Sequence, residues 1–347
     1  MIVFVVAVVA LAFLAQHYVL ANSLRDLYYD AFPSRNVVEP GEVFDSICVL
    51  RNEKWLPELF LRVTEQFPRE AGFKNDRAQK NFYMLPRRRL TSKTPLSINR
   101  RGRYLFRGAT ISGGDFFGVA AREKQYGLLR EVVVLPERID APALDRLFDG
   151  FLGDFSVNRF IMPDPVLTIG AREYSGREPM KDISWRHSAR AGKLMAKRYD
   201  HTSELAVTVL LNMEAPKNFD PRQKEKCFSF ARRVCEELER KKISYGVRTN
   251  AMTIGAVGSP GRAGDGQGRG HLSAILEGLG RGTYEWRENF AAVAEKAFAK
   301  AGQGRAFVVI TPTRTPEHAR AINKLRERSG SAVLTIAADE VADGGGA

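Results

Sequence analysis

Residues 2–15 form an unbroken run of fourteen apolar side chains, and this run constrains the chain more than any other feature. Gln16, His17 and Tyr18 follow, and Val19, Leu20 and Ala21 carry the apolar character to residue 21. About 20 mostly apolar residues span a bilayer as a helix, a length the run reaches with Gln16 and His17 near an interface. A signal peptide is the rival reading, because Val19-Leu20-Ala21 is a passable small-residue cleavage site; the positively charged segment that normally opens such a peptide is missing. No Lys or Arg precedes the run, whereas Arg25 and Arg35 follow it. The positive-inside rule therefore places the body in the cytoplasm. The expectation is a single-pass cell-membrane protein in which residues 1–21 stay attached as a transmembrane helix.

The remaining chain is long enough for two ordinary domains. At 44% hydrophobic and 27% charged it has a globular rather than a disordered composition. Lys and Arg total 53 against 40 for Asp and Glu, a formal charge of +13 that suits an acidic partner or simply a well-solvated basic surface. Cys48, Cys227 and Cys235 are odd in number and widely spaced. They read as small core hydrophobes in a reducing compartment, not as a disulfide framework or a metal site.

Residues 30–136 have the rhythm of a β-sandwich-like module. The turn at Glu39-Pro40-Gly41-Glu42 precedes a strand at 43–50, residues 52–55 read as a hairpin or loop, and a second strand at 59–63 ends at Phe67-Pro68. Further strands are expected at 104–106 and 131–135, punctuated by Gly102, Gly108, Gly113, Gly114 and Gly118. Arg87, Arg88, Arg89, Lys93, Arg100, Arg101, Arg103 and Arg107 form a basic run without an acidic residue. In a tethered chain such a run can touch anionic lipid, at about 1 kcal/mol per basic residue near the surface; a solvated sheet face is the plainer reading.

Residues 137–202 read as a connector, with a short helix at 143–151 and a Pro-interrupted stretch at 157–169. From 203 to 340 the pattern becomes an α/β domain with a mostly parallel sheet. Residues 205–211 are a continuous apolar strand, as buried parallel strands are. Asp220-Pro221 opens a helix, with Gln223 completing a capping-box pattern. Cys227, Phe228, Ala231, Val234, Cys235 and Leu238 share one helical face, and Lys241 and Lys242 suit its C-terminal end. Strands follow at 244–249, 306–311 and 332–337. Helices are expected around Trp286, Phe290, Val293 and Ala297, ending near Gly302, and after Thr315-Pro316, with Ile322 and Leu325 inward and Gly330 beyond its end. Residues 255–270 are rich in glycine and lack the Lys-Ser/Thr of a P-loop, so a loop or hairpin is expected.

The most informative stretch runs from Arg172 to Met195. Arg172, Tyr174, Gly176, Ile183, Trp185, Ser188, Ala189, Arg190, Gly192 and Leu194 match a long, irregular signature. Its elements are Arg-x-Tyr, a Gly-Asp turn, Ile-x-Trp and Ser-Ala-Arg-x-Gly-x-Leu, with Arg177 standing in place of the turn Asp. On these residues the chain resembles the bacterial domain-of-unknown-function 58 family. Arg100-Arg101-Gly102-Arg103-Tyr104, Asp115-Phe116-Phe117-Gly118, Val134-Leu135-Pro136, Gly270-His271-Leu272 and Ile275-Leu276 extend the resemblance over nearly the whole chain. It implies a C-terminal domain of the von Willebrand factor A type and work alongside a MoxR-type AAA+ ATPase in assembling or remodelling other proteins.

A-type domains carry a metal-ion-dependent adhesion site, Asp-x-Ser-x-Ser, after the first strand. Here Asn212-Met213-Glu214-Ala215-Pro216 stands at that place. Asn212 and Glu214 still offer oxygens, whereas Pro216 offers none, so no cofactor is expected and a divalent metal is the minority reading. No Gly-x-Ser-x-Gly elbow or His-Glu-x-x-His is present, and His17, His187, His201, His271 and His318 make no metal-ligand spacing.

The expected function is therefore a non-enzymatic, membrane-tethered interaction or adaptor protein with a protein partner. The runner-up is a metal-dependent ligand-binding protein with a divergent site, and the third is a hydrolase of unrecognised type. Tyr174 and Trp185, interleaved with Arg172, Arg177, Lys181, Arg186, Arg190, Lys193, Lys197 and Arg198, match no RNA-binding module. They suggest a clamp between domains with Trp185 largely buried, whose exposed basic residues meet an acidic protein.

Overall fold

A computed structural model describes residues 1–73, 77–115, 120–161, 168–176, 179–199, 206–217, 219–255, 264–301, 305–329 and 332–341. Arg177, Phe116 to Gly118, residues 256–263 of the glycine-rich stretch, Gly302 and Gly330 lie outside the described residues, as do the side chains at 198–199. The chain divides into two compact units. The first comprises Met1–Glu137 with Leu279–Arg281, the second Arg138–Gly278 with Gly282–Ala347.

The first unit opens with α1 (Ile2–Asn22), whose mean hydropathy of 2.3 and 21-residue length are enough to cross a membrane. Its side chains are almost all exposed, unlike those of a soluble core helix.

Two sheets follow. In one, β1 (Leu27–Pro33), β3 (Val43–Asn52) and β6 (Arg89–Ser97) pair antiparallel in that order. In the other the order is β2 (Val37–Val38), β8 (Ala121–Val134), β7 (Gly102–Gly114), β4 (Glu58–Gln66) and β5 (Arg77–Met84). This second sheet is antiparallel except where β2 runs parallel to β8. Strict alternation sends Phe44, Ser46, Cys48, Leu50 and Asn52 of β3 inward. Leu27, Tyr29, Cys48, Leu50, Leu61, Val63, Met84, Ala109 and Ile111 then form one core between the sheets. Phe44, Phe67, Leu96, Ile98, Tyr104, Val132 and Val134 belong to a second.

Strands β7 and β8 are much longer than the short strands expected around 104–106 and 131–135, and β1, β5 and β6 escaped the sequence pattern. Gly108 marks the register shift between β7 and β8. It has φ +108°, and a Cβ there would lie 1.9 Å from the carbonyl oxygen of Tyr126.

In the second unit, α2 (Pro142–Ile161) is a longer helix than expected at 143–151, so the start of the connector at 157–169 is helical. Strands β9 (Thr168–Glu173) and β10 (Met195–Tyr199) form an antiparallel pair that brackets α3 (Trp185–Ala191). The main sheet is fully parallel, in the order β12 (Ser244–Thr249), β11 (Ala206–Leu211), β15 (Ala306–Thr311) and β16 (Val333–Ala337).

Helix α4 (Pro221–Arg240) buries Cys227, Phe228, Ala231, Val234, Cys235 and Leu238, the face its periodicity marks. Asp220 caps it by accepting from the N–H of Arg222 at 2.9 Å. The side chain of Gln223 does not close the expected capping box: its Oε1 is buried and has no hydrogen-bond partner among the described residues. A short antiparallel pair, β13 (Ala251–Thr253) with β14 (Gly282–Trp286), flanks α5 (Arg269–Gly280). Trp286 therefore ends a strand, and the helix expected around it, α6 (Phe290–Ala301), begins four residues later. With α7 (Pro316–Ser329), α6 packs Phe290, Val293, Ala297, Ile322 and Leu325 against Leu210, Phe307 and Val309.

Candidate functional site

The order β12-β11-β15 puts a reversal of winding at β11, whose two sequence successors lie on opposite sides of it. In open parallel sheets, ligands bind at such a point, beyond the carboxyl ends of the strands. Asn212 follows β11 there, Asn250 follows β12, and Thr311 ends β15. His318 joins them from the first turn of α7, where its N–H donates to the capping Thr315 hydroxyl at 3.2 Å. All four side chains are buried.

These groups satisfy one another. The Asn212 amide donates to Thr311 Oγ1 at 3.1 Å and lies 3.3 Å from His318 Nε2. Asn212 Oδ1 accepts from Asn250 Nδ2 at 2.7 Å and from the N–H of Glu214 at 2.9 Å. Asn250 Oδ1 accepts from the N–H of Met213 at 2.8 Å, and Thr311 Oγ1 donates to the carbonyl of Thr313 at 2.8 Å. His318 Nδ1 lies 3.3 Å from that same carbonyl, so with the ring proton on Nδ1 the imidazole donates to Thr313 and accepts from Asn212. Glu214 Oε2 accepts from the N–H of Phe290 at 2.7 Å and lies 3.6 Å from His318 Nε2. Phe290 is the first residue of α6, so this carboxylate sits where the helix dipole favours negative charge.

A hard divalent ion needs about six oxygen ligands with free lone pairs. Asn212 Oδ1 already takes two donors, Thr311 Oγ1 is engaged as both donor and acceptor, and one oxygen of Glu214 is held by Phe290. Pro216 contributes nothing. This donor set does not fit a metal-ion-dependent adhesion site, and the described residues hold no group of three or more His, Cys, Asp or Glu able to bind a metal. Asn250, Thr311 and His318 escaped sequence reasoning. The available signal was that Asn250 and Thr311 stand at the ends of buried strands.

No family model matches the chain, and no curated protein matches it. Two solved structures illustrate a weak likeness. A CARDB domain of a Pyrococcus furiosus protein, in complex with di-metal ions, aligns at 10% identity over 31% of this chain and 89% of that one, with a TM-score of 0.22. The alkylpurine DNA glycosylase AlkC of Pseudomonas fluorescens, bound to DNA containing an abasic site analog, aligns at 11% identity over 34% of this chain and 33% of its own, also at 0.22. Scores this low carry no argument about function.

Arg172 is exposed on β9, opposite Ala196 of β10. The other nine signature residues fall into two groups. One group builds the β9–α3–β10 hairpin. Gly176 has φ +85° and Gly192 φ +65°, left-handed conformations that turn the chain and end α3. Ile183 is buried and bridges Ala196. Ser188 Oγ donates to the carbonyl of Ser184 at 2.9 Å and accepts from the N–H of Met195 at 2.8 Å, tying α3 to β10. The N–H of Tyr174 donates to the carbonyl of Leu194 at 3.0 Å.

The other group faces water. Trp185 is 60% exposed, which overturns the expectation of a buried clamp. It occupies the first position of a two-turn helix, and the inward places around it are taken by Ile183 and Ala196. Ala189 lies one turn beyond Trp185, and Arg186 and Arg190 form the adjoining stripe. Leu194 and Met180 are exposed as well. Ser184 Oγ and His187 Nδ1 lie 3.0 Å apart, three residues apart at the start of α3, which is a local contact at the helix start.

Proposed function

We propose that the chain is a membrane-anchored, non-enzymatic interaction protein of the domain-of-unknown-function 58 type, acting with a MoxR-type AAA+ ATPase in protein assembly or remodelling. The observation that carries this reading is the exposed Trp185, flanked by Arg186 and Arg190 and by exposed Met180 and Leu194. Trp and Arg dominate the energetics of protein interfaces because each combines large apolar contact with directional polar groups. Trp185, Met180 and Leu194, all exposed within one short segment, offer apolar surface that a partner can cover. The basic stripe calls for an acidic partner face.

Two further features support the reading. The parallel order β12-β11-β15-β16, with a polar cluster at its switch point, suits a von Willebrand factor A-like domain whose metal site has been replaced by a hydrogen-bonded network. The apolar α1, followed by Arg25 and Arg35, suits a single-pass anchor with the body in the cytoplasm. The experiment is binding of a purified MoxR-type ATPase to the full chain in nanodiscs. Saturable binding is expected, and its absence with and without nucleotide contradicts the proposal.

A further inference from the structure

The end of α1 is built into the first unit. Lys54 Nζ donates to the carbonyl of Asn22 at 2.7 Å and to that of Ser23, a cation on the carbonyls at the C-terminal end of the helix. The N–H of Glu53 donates to Asp26 O at 3.1 Å. Ser23 is buried, and the backbone of Gly113 approaches it so closely that a Cβ there would lie 2.9 Å from Leu24 Cδ2 and 3.1 Å from Ser23 Cβ. Farther up the helix, Gln16 Nε2 donates to Asp115 Oδ2 at 2.6 Å. With the helix end fixed in this way, the loop between β3 and β4 has its position set by α1.

That loop is bound to the turn between β5 and β6. Asn52 Nδ2 donates to the carbonyls of Leu56 at 2.9 Å and Leu85 at 3.2 Å. The N–H of Arg87 donates to Lys54 O at 3.2 Å, and that of Asn52 to Arg88 O at 2.9 Å. The two segments together display Trp55, 74% exposed, with the Arg87 guanidinium 3.8 Å above its ring. Leu85 and Tyr83 are exposed beside them, as are Arg87 and Arg88. An exposed indole under a guanidinium, next to Tyr and Leu, has the chemistry of a bilayer interface. There amphipathic rings sit at headgroup depth and Arg meets phosphate.

We propose that Trp55, Tyr83, Leu85, Arg87 and Arg88 form an interfacial foot that seats the first unit on a leaflet containing anionic phospholipid. The inference rests on the reading of α1 as a membrane anchor. It sets Arg87 and Arg88 apart from two members of the basic run that are engaged within the first unit: Arg103 pairs with Glu131 at 2.7 Å, and Arg101 donates to the carbonyl of Leu279 at 3.0 Å.

The test uses the full chain carrying Trp185→Phe and Trp286→Phe, so that Trp55 is its single tryptophan, in vesicles of phosphatidylcholine with or without phosphatidylglycerol. Alkaline carbonate extraction first reports whether the chain is integrally inserted. For an inserted chain, the Trp55 emission shifts to the blue and is quenched by lipids brominated near the headgroup. The quenching is stronger with phosphatidylglycerol, and Arg87→Glu with Arg88→Glu abolishes that increment. An inserted chain whose Trp55 emits as a hydrated indole, unquenched, overturns the foot and leaves the anchor standing. Quenching that ignores phosphatidylglycerol overturns the anionic selectivity. Release of the chain by carbonate overturns the anchor, and the foot with it.

Discussion

Asn250 donates its amide to Asn212 Oδ1 at 2.7 Å across the carboxyl ends of β12 and β11, while its own oxygen holds the N–H of Met213. One side chain thus fixes the backbone at the switch point of the parallel sheet. Asn250→Ala strips the buried N–H of Met213 of its acceptor and removes one of the two donors to Asn212 Oδ1; an unsatisfied buried donor costs about 1–3 kcal/mol, and the lost hydrogen bond adds to it. Urea unfolding should show the variant destabilised by about 2–4 kcal/mol with an unchanged denaturant slope. A loss below about 0.5 kcal/mol contradicts the assigned network.

The same network occupies Asn212 Oδ1 and engages Thr311 Oγ1, so the oxygens left over are too few for a hard cation. Calorimetric titration of the full chain in detergent with MgCl2 or MnCl2 should give no tight binding, and partner contact should survive chelation. Micromolar affinity that disappears in Glu214→Ala reverses this conclusion.

Glu65 sits between the sheets of the first unit, accepting from the hydroxyls of Thr94 at 3.3 Å and of Tyr29 and Ser46 at 3.5 Å. Burial raises its carboxyl pKa, a shift opposed by those hydrogen bonds and by Lys80. The folded state therefore holds the proton more tightly than the unfolded chain. Stability is greatest below the ordinary glutamate range and falls as pH rises through the interval up to the folded value. Glu65→Gln removes the ionisation and keeps an acceptor. Its melting temperature should fall less than that of the parent as pH is raised from 4 to 8. Identical pH profiles contradict the assignment.

Lys54 and Glu58 form an ion pair with side chains only 9% and 2% exposed. Burial raises the Glu58 carboxyl against the opposing hydrogen bond and charge of Lys54. Lys54→Ala leaves that carboxyl buried without its cation and removes the ammonium from the carbonyls of Asn22 and Ser23, at a cost of about 3–5 kcal/mol. Thermal unfolding in detergent should show the loss, and Lys54→Met with Glu58→Leu should recover most of it. Equal destabilisation of the single and double variants contradicts the pairing.

What was legible in the sequence followed from periodicity and punctuation. The strands at 206–211, 306–311 and 333–337 are mainly apolar runs, and Asp220-Pro221 and Thr315-Pro316 mark helix starts by their own chemistry. Strand β6 stayed hidden because its outward residues include Arg89 and Lys93, so it read as part of a charge run. Helix α5 lay beside a glycine-rich stretch that masked its amphipathic pattern. Trp185 was misplaced for a physical reason. Aromatic residues inside a long motif usually pack inward, but a helix of seven residues between two short strands has too little interior to hold both Ile183 and an indole. The polar cluster depends on Asn250, Thr311 and His318 converging from three distant segments, which no local pattern encodes.

If the exposed face of α3 is the partner-binding surface, Trp185 can be removed without harm to the fold, because surface substitutions typically change stability by no more than about 0.5 kcal/mol. Loss of an interface hot spot of about 2 kcal/mol weakens binding about thirtyfold. The direct measurement is the affinity of a purified MoxR-type ATPase for the full chain in nanodiscs, comparing the parent with Trp185→Ala and Arg190→Glu. The predicted result is a loss of about thirtyfold in Trp185→Ala and a clear loss in Arg190→Glu, with melting temperatures unchanged. Parent-like affinity in both variants would contradict the account.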